Sequence, residues 1–252
     1  ADERFRREFL AYLHMKQEAA RENEAEFNRR GEGRLAELAH FWWRYYEDIE
    51  RDFVERYRED LVGAFRELQD EGHIEIMTSA ATHGYLPLLA RDTSVQGQVR
   101  LGVASYRRHF GRDPAGFWLP ECAYRPRYEW RRPVGDAGQG PQLRKGIEEF
   151  LAEAGLRYTV VDSHLLAGGE ALGVYIDRFE ALRRLWEQSQ QGVVRRPTER
   201  TLYRAYLASS GGEGSASVAV LGRDTRTAIQ VWSGEHGYPG DYWYLEFHKK
   251  HF

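Results

Sequence analysis

Gly116-Phe117-Trp118-Leu119-Pro120-Glu121-Cys122-Ala123-Tyr124 is the stretch that most constrains what this 252-residue chain can fold into. Gly-Phe-Trp-Leu is a short apolar run of β-prone residues, the pattern of a strand buried in a parallel sheet. Pro120 has no N–H to give to a ladder, so the strand should stop there. Glu121 then stands just past the carboxyl end of a strand, with Trp118 and Tyr124 close by in sequence. Open α/β sheets and barrels assemble reactive groups at that edge, which makes the carboxylate a candidate for chemistry. A helix cap or a surface ion pair is the plainer alternative.

The flanking sequence repeats the theme. His73-Ile74-Glu75-Ile76-Met77-Thr78 alternates polar and apolar and predicts a strand, which runs into small residues and then His83. A helix is predicted over residues 94–110, capped by Ser94. Strand, helix and strand in that order form a βαβ unit, so parallel pairing is expected. A Gly- and Pro-rich linker, residues 131–142, precedes a helix predicted over residues 143–154. A strand over residues 157–161 follows and ends at Asp162-Ser163-His164. A partly mobile loop with one short helix is expected up to Arg200, and a flexible turn over residues 209–215. A fourth strand over residues 217–221, a short helix over residues 225–232, a loop over residues 234–241 and part of another helix complete the chain. Three strand ends thus deliver polar groups, His83, Glu121 and His164, as expected of a small-molecule or oligomer site.

Before Gly72 the pattern is helical. One helix is predicted over residues 2–30, broken by Gly31 and Gly33, and a second over residues 35–68. Leu35, Leu38, Phe41, Trp42, Tyr45, Ile49 and Phe53 form its apolar stripe, read as a packing face. The expected division is a helical region over residues 1–70 and an α/β region over residues 71–252. A net charge of −3 with no basic tail points away from nucleic acid and anionic membranes as partners. No run of 18 apolar residues occurs, and the first residues lack signal-peptide character. The single cysteine, Cys122, excludes an internal disulfide and a multi-cysteine zinc site, and a reducing, cytoplasmic location is expected. Cys122 itself is read as a packing residue, since no base is paired with it. His236, His248 and His251 lack the acidic or cysteine partners of a metal site, so no metal is expected. The 7 Trp and 15 Tyr suit the flat C–H faces of sugars as well as they suit cores.

Residues 75–89 (Glu-Ile-Met-Thr-Ser-Ala-Ala-Thr-His-Gly-Tyr-Leu-Pro-Leu-Leu), residues 116–124 and residues 231–241 (Val-Trp-Ser-Gly-Glu-His-Gly-Tyr-Pro-Gly-Asp) together resemble glycoside hydrolase family 57. The resemblance is strongest to that family's 1,4-α-glucan branching enzymes and covers nearly the whole chain. It implies an α/β fold, part of an incomplete (β/α)7 barrel with an inserted or flanking helical region. It also implies an α-glucan substrate, no cofactor, and retaining glycosyl transfer through a covalent intermediate. Glu121 matches the family's nucleophile, His83 the histidine of the donor-sugar pocket, and Trp232 a tryptophan lining the glucan cleft. Tyr175 matches the tyrosine of a mobile loop linked to transfer over hydrolysis. His164 and Trp118, at or near strand ends, are further substrate-binding candidates. The activity implied is formation of α-1,6 branches, with α-amylase, 4-α-glucanotransferase or a glucan-binding piece as alternatives. The family's early His-x-His motif has no counterpart here, and neither does its acid/base aspartate in an Asp-x-Glu-Leu-Phe-Gly-type motif. Asp162 and Asp241 lie in comparable loops, and neither is assigned that role. Further chain segments are expected to supply it.

Overall fold

The computed structural model describes residues 2–131, 140–167, 200–211, 215–232 and 237. The chain divides into two compact units, residues 1–76 with 109–111, and residues 77–108 with 112–252.

The first unit is helical. Asp2 starts helix α1 (Glu3–Arg29) by accepting from the backbone N–H groups of Arg4 and Phe5. Gly31, at φ 73, takes the left-handed position that ends it, and α2 (Gly33–Arg51) returns alongside. Ala20, Ala36, Ala39, Leu13, Tyr46 and Phe53 are the buried apolar residues of this unit. Phe9 meets Phe53 edge-on at 4.9 Å. The long helix expected over residues 35–68 is broken. Its ladder slips into a π turn at Asp52–Arg56, Arg58 and Glu59 turn left-handed, and α3 (Leu61–Asp70) starts afresh. The cause is local, because the Asp60 carboxylate captures the N–H of Gly63 at 3.1 Å and caps a new helix.

The second unit is α/β. Strands β1 (Thr78–Ser79), β2 (Gly116–Trp118), β5 (Tyr158–Val161) and β7 (Val218–Gly222) pair in parallel in that order, and β6 (Tyr206–Ala208) pairs antiparallel on the far side of β7. A two-stranded antiparallel ribbon, β3 (Tyr128–Trp130) with β4 (Gln142–Arg144), stands apart from this sheet. Helix α4 (Asp92–Phe110) follows β1, α5 (Ile147–Glu153) precedes β5, α6 (Ser163–Ala167) follows it, and α7 (Thr225–Trp232) follows β7. Val95, Val99 and Val103 of α4 and Ile147, Phe150 and Leu151 of α5 pack with Phe117, Leu119, Val161 and Val218 in one core. Full burial of such side chains contributes about 1.5–3 kcal/mol each. Gly102 lets α4 lie directly on β1, since a Cβ there would fall 2.0 Å from the Ser79 carbonyl oxygen.

Several sequence expectations are corrected. The strand expected over residues 73–78 shrinks to Thr78–Ser79. It has one neighbouring strand among the described residues, and the Ile76 N–H goes instead to Gln69 Oε1 at 2.9 Å. Helix α4 begins at Asp92, not after Ser94, because the Arg91 carbonyl already accepts from the Ser94 N–H at 3.0 Å. The start of the helix expected over residues 143–154 is strand β4, held by its pairing with β3 and by Arg144 lying over the Trp130 ring. Strands β3 and β6 have no counterpart among the predicted elements. The loop expected around Tyr175, the loop over residues 234–241 apart from Gly237, the helix after it, and His236, His248 and His251 lie outside the described residues. Among the described residues no helix is long and apolar enough to cross a membrane.

Candidate active site

Glu121 is carried on one turn whose neighbours are sunk into the core. β2 ends at Trp118, and Pro120–Cys122 form a single 3₁₀ turn closed by the Cys122 N–H to the Leu119 carbonyl at 2.9 Å. Leu119, Pro120 and Cys122 are buried. Glu121, at φ 57, points the other way, and its side chain is 70% exposed. Two left-handed non-glycine residues in succession, Glu121 and Cys122, mark a strained backbone, and such strain clusters at functional sites.

His83 arrives from the neighbouring strand end in the same conformation, at φ 54. Its loop is clamped by Gln98 of α4, which accepts from the Ala81 and Thr82 N–H groups and donates to Thr82 Oγ1. The His83 N–H closes a turn onto the Ala80 carbonyl at 2.9 Å. Ser79 ties the two strand ends together by donating to the Trp118 carbonyl at 2.9 Å, and its oxygen lies 3.5 Å from His83 Nδ1. His83 Nε2 is thereby turned to Glu121 Oε1, at 4.0 Å. An acid and an imidazole thus stand side by side at the carboxyl edge, both open to solvent.

The next strand ends bring more polar groups. Asp162 follows β5, and its Oδ2 lies 3.5 Å from His164 Nδ1. His164 itself sits in the first turn of α6, one step beyond the strand end expected of it. Arg223 follows β7 and donates to Cys122 Sγ at 3.7 Å. Burial pushes the Cys122 thiol up and Arg223 pulls it part of the way back, so the group stays protonated and serves packing and hydrogen bonding. Trp118 is half-buried on β2. Trp232 ends α7, with its side chain outside the described residues, and Tyr175 lies outside them altogether.

Behind the turn, the chain from Tyr124 to Arg127 is tied to the start of α5. Tyr124 O–H donates to Glu148 Oε2 at 2.9 Å, and burial followed by that carboxylate pushes the phenol up. Arg127 forks onto both oxygens of Glu149, and its backbone N–H donates to Ser210 Oγ. The buried Arg125 and Arg144 share Asp92, the first residue of α4. Sequence reading did not single out Ser79, Gln98, Arg223, Glu148 or Glu149. The Glu148-Glu149 pair, in the first turn of α5, falls inside the helix expected over residues 143–154, so the pattern gives no local signal for it.

Parallel strands whose end loops bring a carboxylate and an imidazole together define an α/β protein with polar groups gathered at the carboxyl edge of its sheet. Residues 3–252 match the model of glycosyl hydrolase family 57, and the chain belongs to that family. It is 41% identical over 249 residues, 99% of its length, to the 1,4-α-glucan branching enzyme TK1436 of Thermococcus kodakarensis, but spans 32% of that protein. The crystal structure of TK1436 in complex with glucose and additives matches 99% of the chain with a TM-score of 0.71, over 40% of the solved chain. The GH57-type branching enzyme of Pyrococcus horikoshii matches all of it at 39% identity and a TM-score of 0.73, over 39% of the solved chain. The α-amylase AmyC of Thermotoga maritima, at 24% identity and a TM-score of 0.62, shares the fold over 96% of this chain and 37% of its own.

Proposed function

We propose that this chain carries the nucleophile side of a 1,4-α-glucan branching site. The reading is carried by one observation, the exposed Glu121 carboxylate 4.0 Å from His83 Nε2 at the carboxyl edge of parallel strands. It is supported by the branching enzymes among the relatives.

In this reading a carboxylate oxygen of Glu121 attacks the anomeric carbon of an α-1,4-glucan. The bond to the leaving O4 breaks, and a glycosyl-enzyme ester forms with inversion. A 6-hydroxyl of an acceptor glucan then attacks the same carbon from the opposite face, Glu121 leaves as carboxylate, and an α-1,6 branch results with net retention. His83 donates to a hydroxyl of the donor sugar, while His164, Trp118, Trp232 and Tyr175 line donor and acceptor subsites. The proton for the leaving oxygen comes from a second carboxyl group about 5–5.5 Å away in retaining enzymes, the resulting carboxylate takes the proton of the attacking 6-hydroxyl, and this reading assigns that group to no residue of the chain. The parallel strands belong to an incomplete (β/α)7 barrel over residues 71–252, and residues 1–70 form a helical region preceding it in sequence. The setting proposed is cytoplasmic synthesis of a glycogen-like glucan, supported by the single cysteine of the chain.

Iodine staining of amylose tests the reading. Branching shifts the stain with little release of reducing ends, hydrolysis releases them, and a glucan-binding piece does neither. Glu121→Gln should lower turnover by more than about 10³-fold while amylose binding persists. Full activity in that variant would remove the nucleophile assignment.

A further inference from the structure

The residue after Glu121 is a buried cysteine, and the two form consecutive left-handed positions at φ 57 and φ 51. A side chain with a Cβ disfavours each position, so the pair persists only where the surrounding packing over-determines it. The Cys122 thiol accepts from the Arg223 guanidinium, with Nη1 to Sγ at 3.7 Å. Arg223 springs from a rigid base, since its N–H donates to the Val161 carbonyl at 3.0 Å and carries the β5–β7 ladder one residue past β7. β5 lies between β2 and β7, so the side chain reaches across the end of a strand to find the turn.

We propose that Arg223 is a positioning residue for Glu121: anchored on β7, it holds the Cys122 thiol and thereby fixes the direction in which the carboxylate leaves its turn. The proposal rests on Glu121 being the nucleophile. Nothing about it requires Arg223 to touch sugar. A guanidinium is suited to the task because its donors are set in a rigid plane, whereas a lysine ammonium swings on a flexible stem.

The test uses the whole chain and a probe that needs no acid catalyst, 5-fluoro-α-D-glucosyl fluoride. The C1–F bond breaks, fluoride leaves with the electron pair, and a Glu121 oxygen bonds to C1, which intact mass and peptide mapping read directly. Arg223→Met and Cys122→Ala should each slow labelling about tenfold to a hundredfold, the scale of a slightly misplaced nucleophile, with half-saturation by the probe unchanged. Because the two residues act as a unit, the double variant should be no slower than the slower single one. Arg223→Lys and Cys122→Ser, which keep a donor and an acceptor, should recover part of the rate. Wild-type labelling in Arg223→Met, or losses that multiply in the double variant, would overturn the proposal. Cys122 is the single thiol of the chain, so its alkylation in the native protein is a second readout. It should quicken about tenfold in Arg223→Met as the turn opens, and an unchanged rate removes the holding role by itself. A wild-type chain that takes no label at Glu121 removes the nucleophile reading, and the catalytic meaning of the contact goes with it.

Discussion

His83, Glu121 and Cys122 adopt a backbone that none of the three residue types advertises. A left-handed glycine is visible in a sequence, whereas a left-handed histidine or glutamate is not. The strain is imposed from outside, by Gln98 on the His83 loop and by buried neighbours on either side of Glu121. Substitutions at His83 should therefore sort by backbone tolerance as well as by chemistry. Asparagine accepts φ near 54 readily, and a β-branched residue does not. His83→Val should cost about 1–2 kcal/mol more than His83→Asn in urea unfolding. Equal stabilities would mean that the loop relaxes out of the left-handed region. That Glu121 follows a strand end was legible from Pro120 alone, while its 4.0 Å approach to His83 was not. The approach depends on Ser79 stitching together two strand ends 39 residues apart in sequence.

At the scale of elements, helix starts decided most departures from expectation. Asp60 begins α3 by holding the Gly63 N–H, and this bond keeps its carboxyl below the usual range. Asp60→Ala should lower stability by about 1 kcal/mol at neutral pH, measured by denaturant unfolding. Glu149 acts at the start of α5, where Arg127 first, and then the Gly146 N–H, hold its carboxyl below the usual value. A depressed folded pKa stabilises fully above the unfolded value of about 4.3 and loses that contribution as pH falls through the folded one. Glu149→Gln should thus unfold at lower urea than the parent at neutral pH, with the gap closing toward about pH 3. A gap independent of pH would assign the loss to packing. The periodic elements, α1, α4, β2, β5 and β7, were visible as patterns because each carries its own apolar repeat. The β3–β4 ribbon was not, since Gln142-Leu143-Arg144 carries no strand pattern and becomes a strand only opposite Tyr128–Trp130.

For the molecule as a whole, the sheet predicts its own gradient of protection. Among the described residues, β2, β5 and β7 each have neighbours on both sides, whereas β1 and β6 have one each. Amide exchange should be slowest in β5 and β7 and faster in β6, and equal protection in β6 would contradict the strand order. The linear pattern by itself determined the α/β class, the helical character of the first unit, and which residues stand where strands end. Those features follow from side-chain periodicity and from proline and glycine, which act within a few residues of themselves. Only the tertiary structure decided which strand ends are neighbours, that the imidazole of His83 faces Glu121, and that Arg223 reaches Cys122 across 101 residues of sequence. Such contacts form between groups that the chain brings together only after the strands have paired, so no local pattern records them.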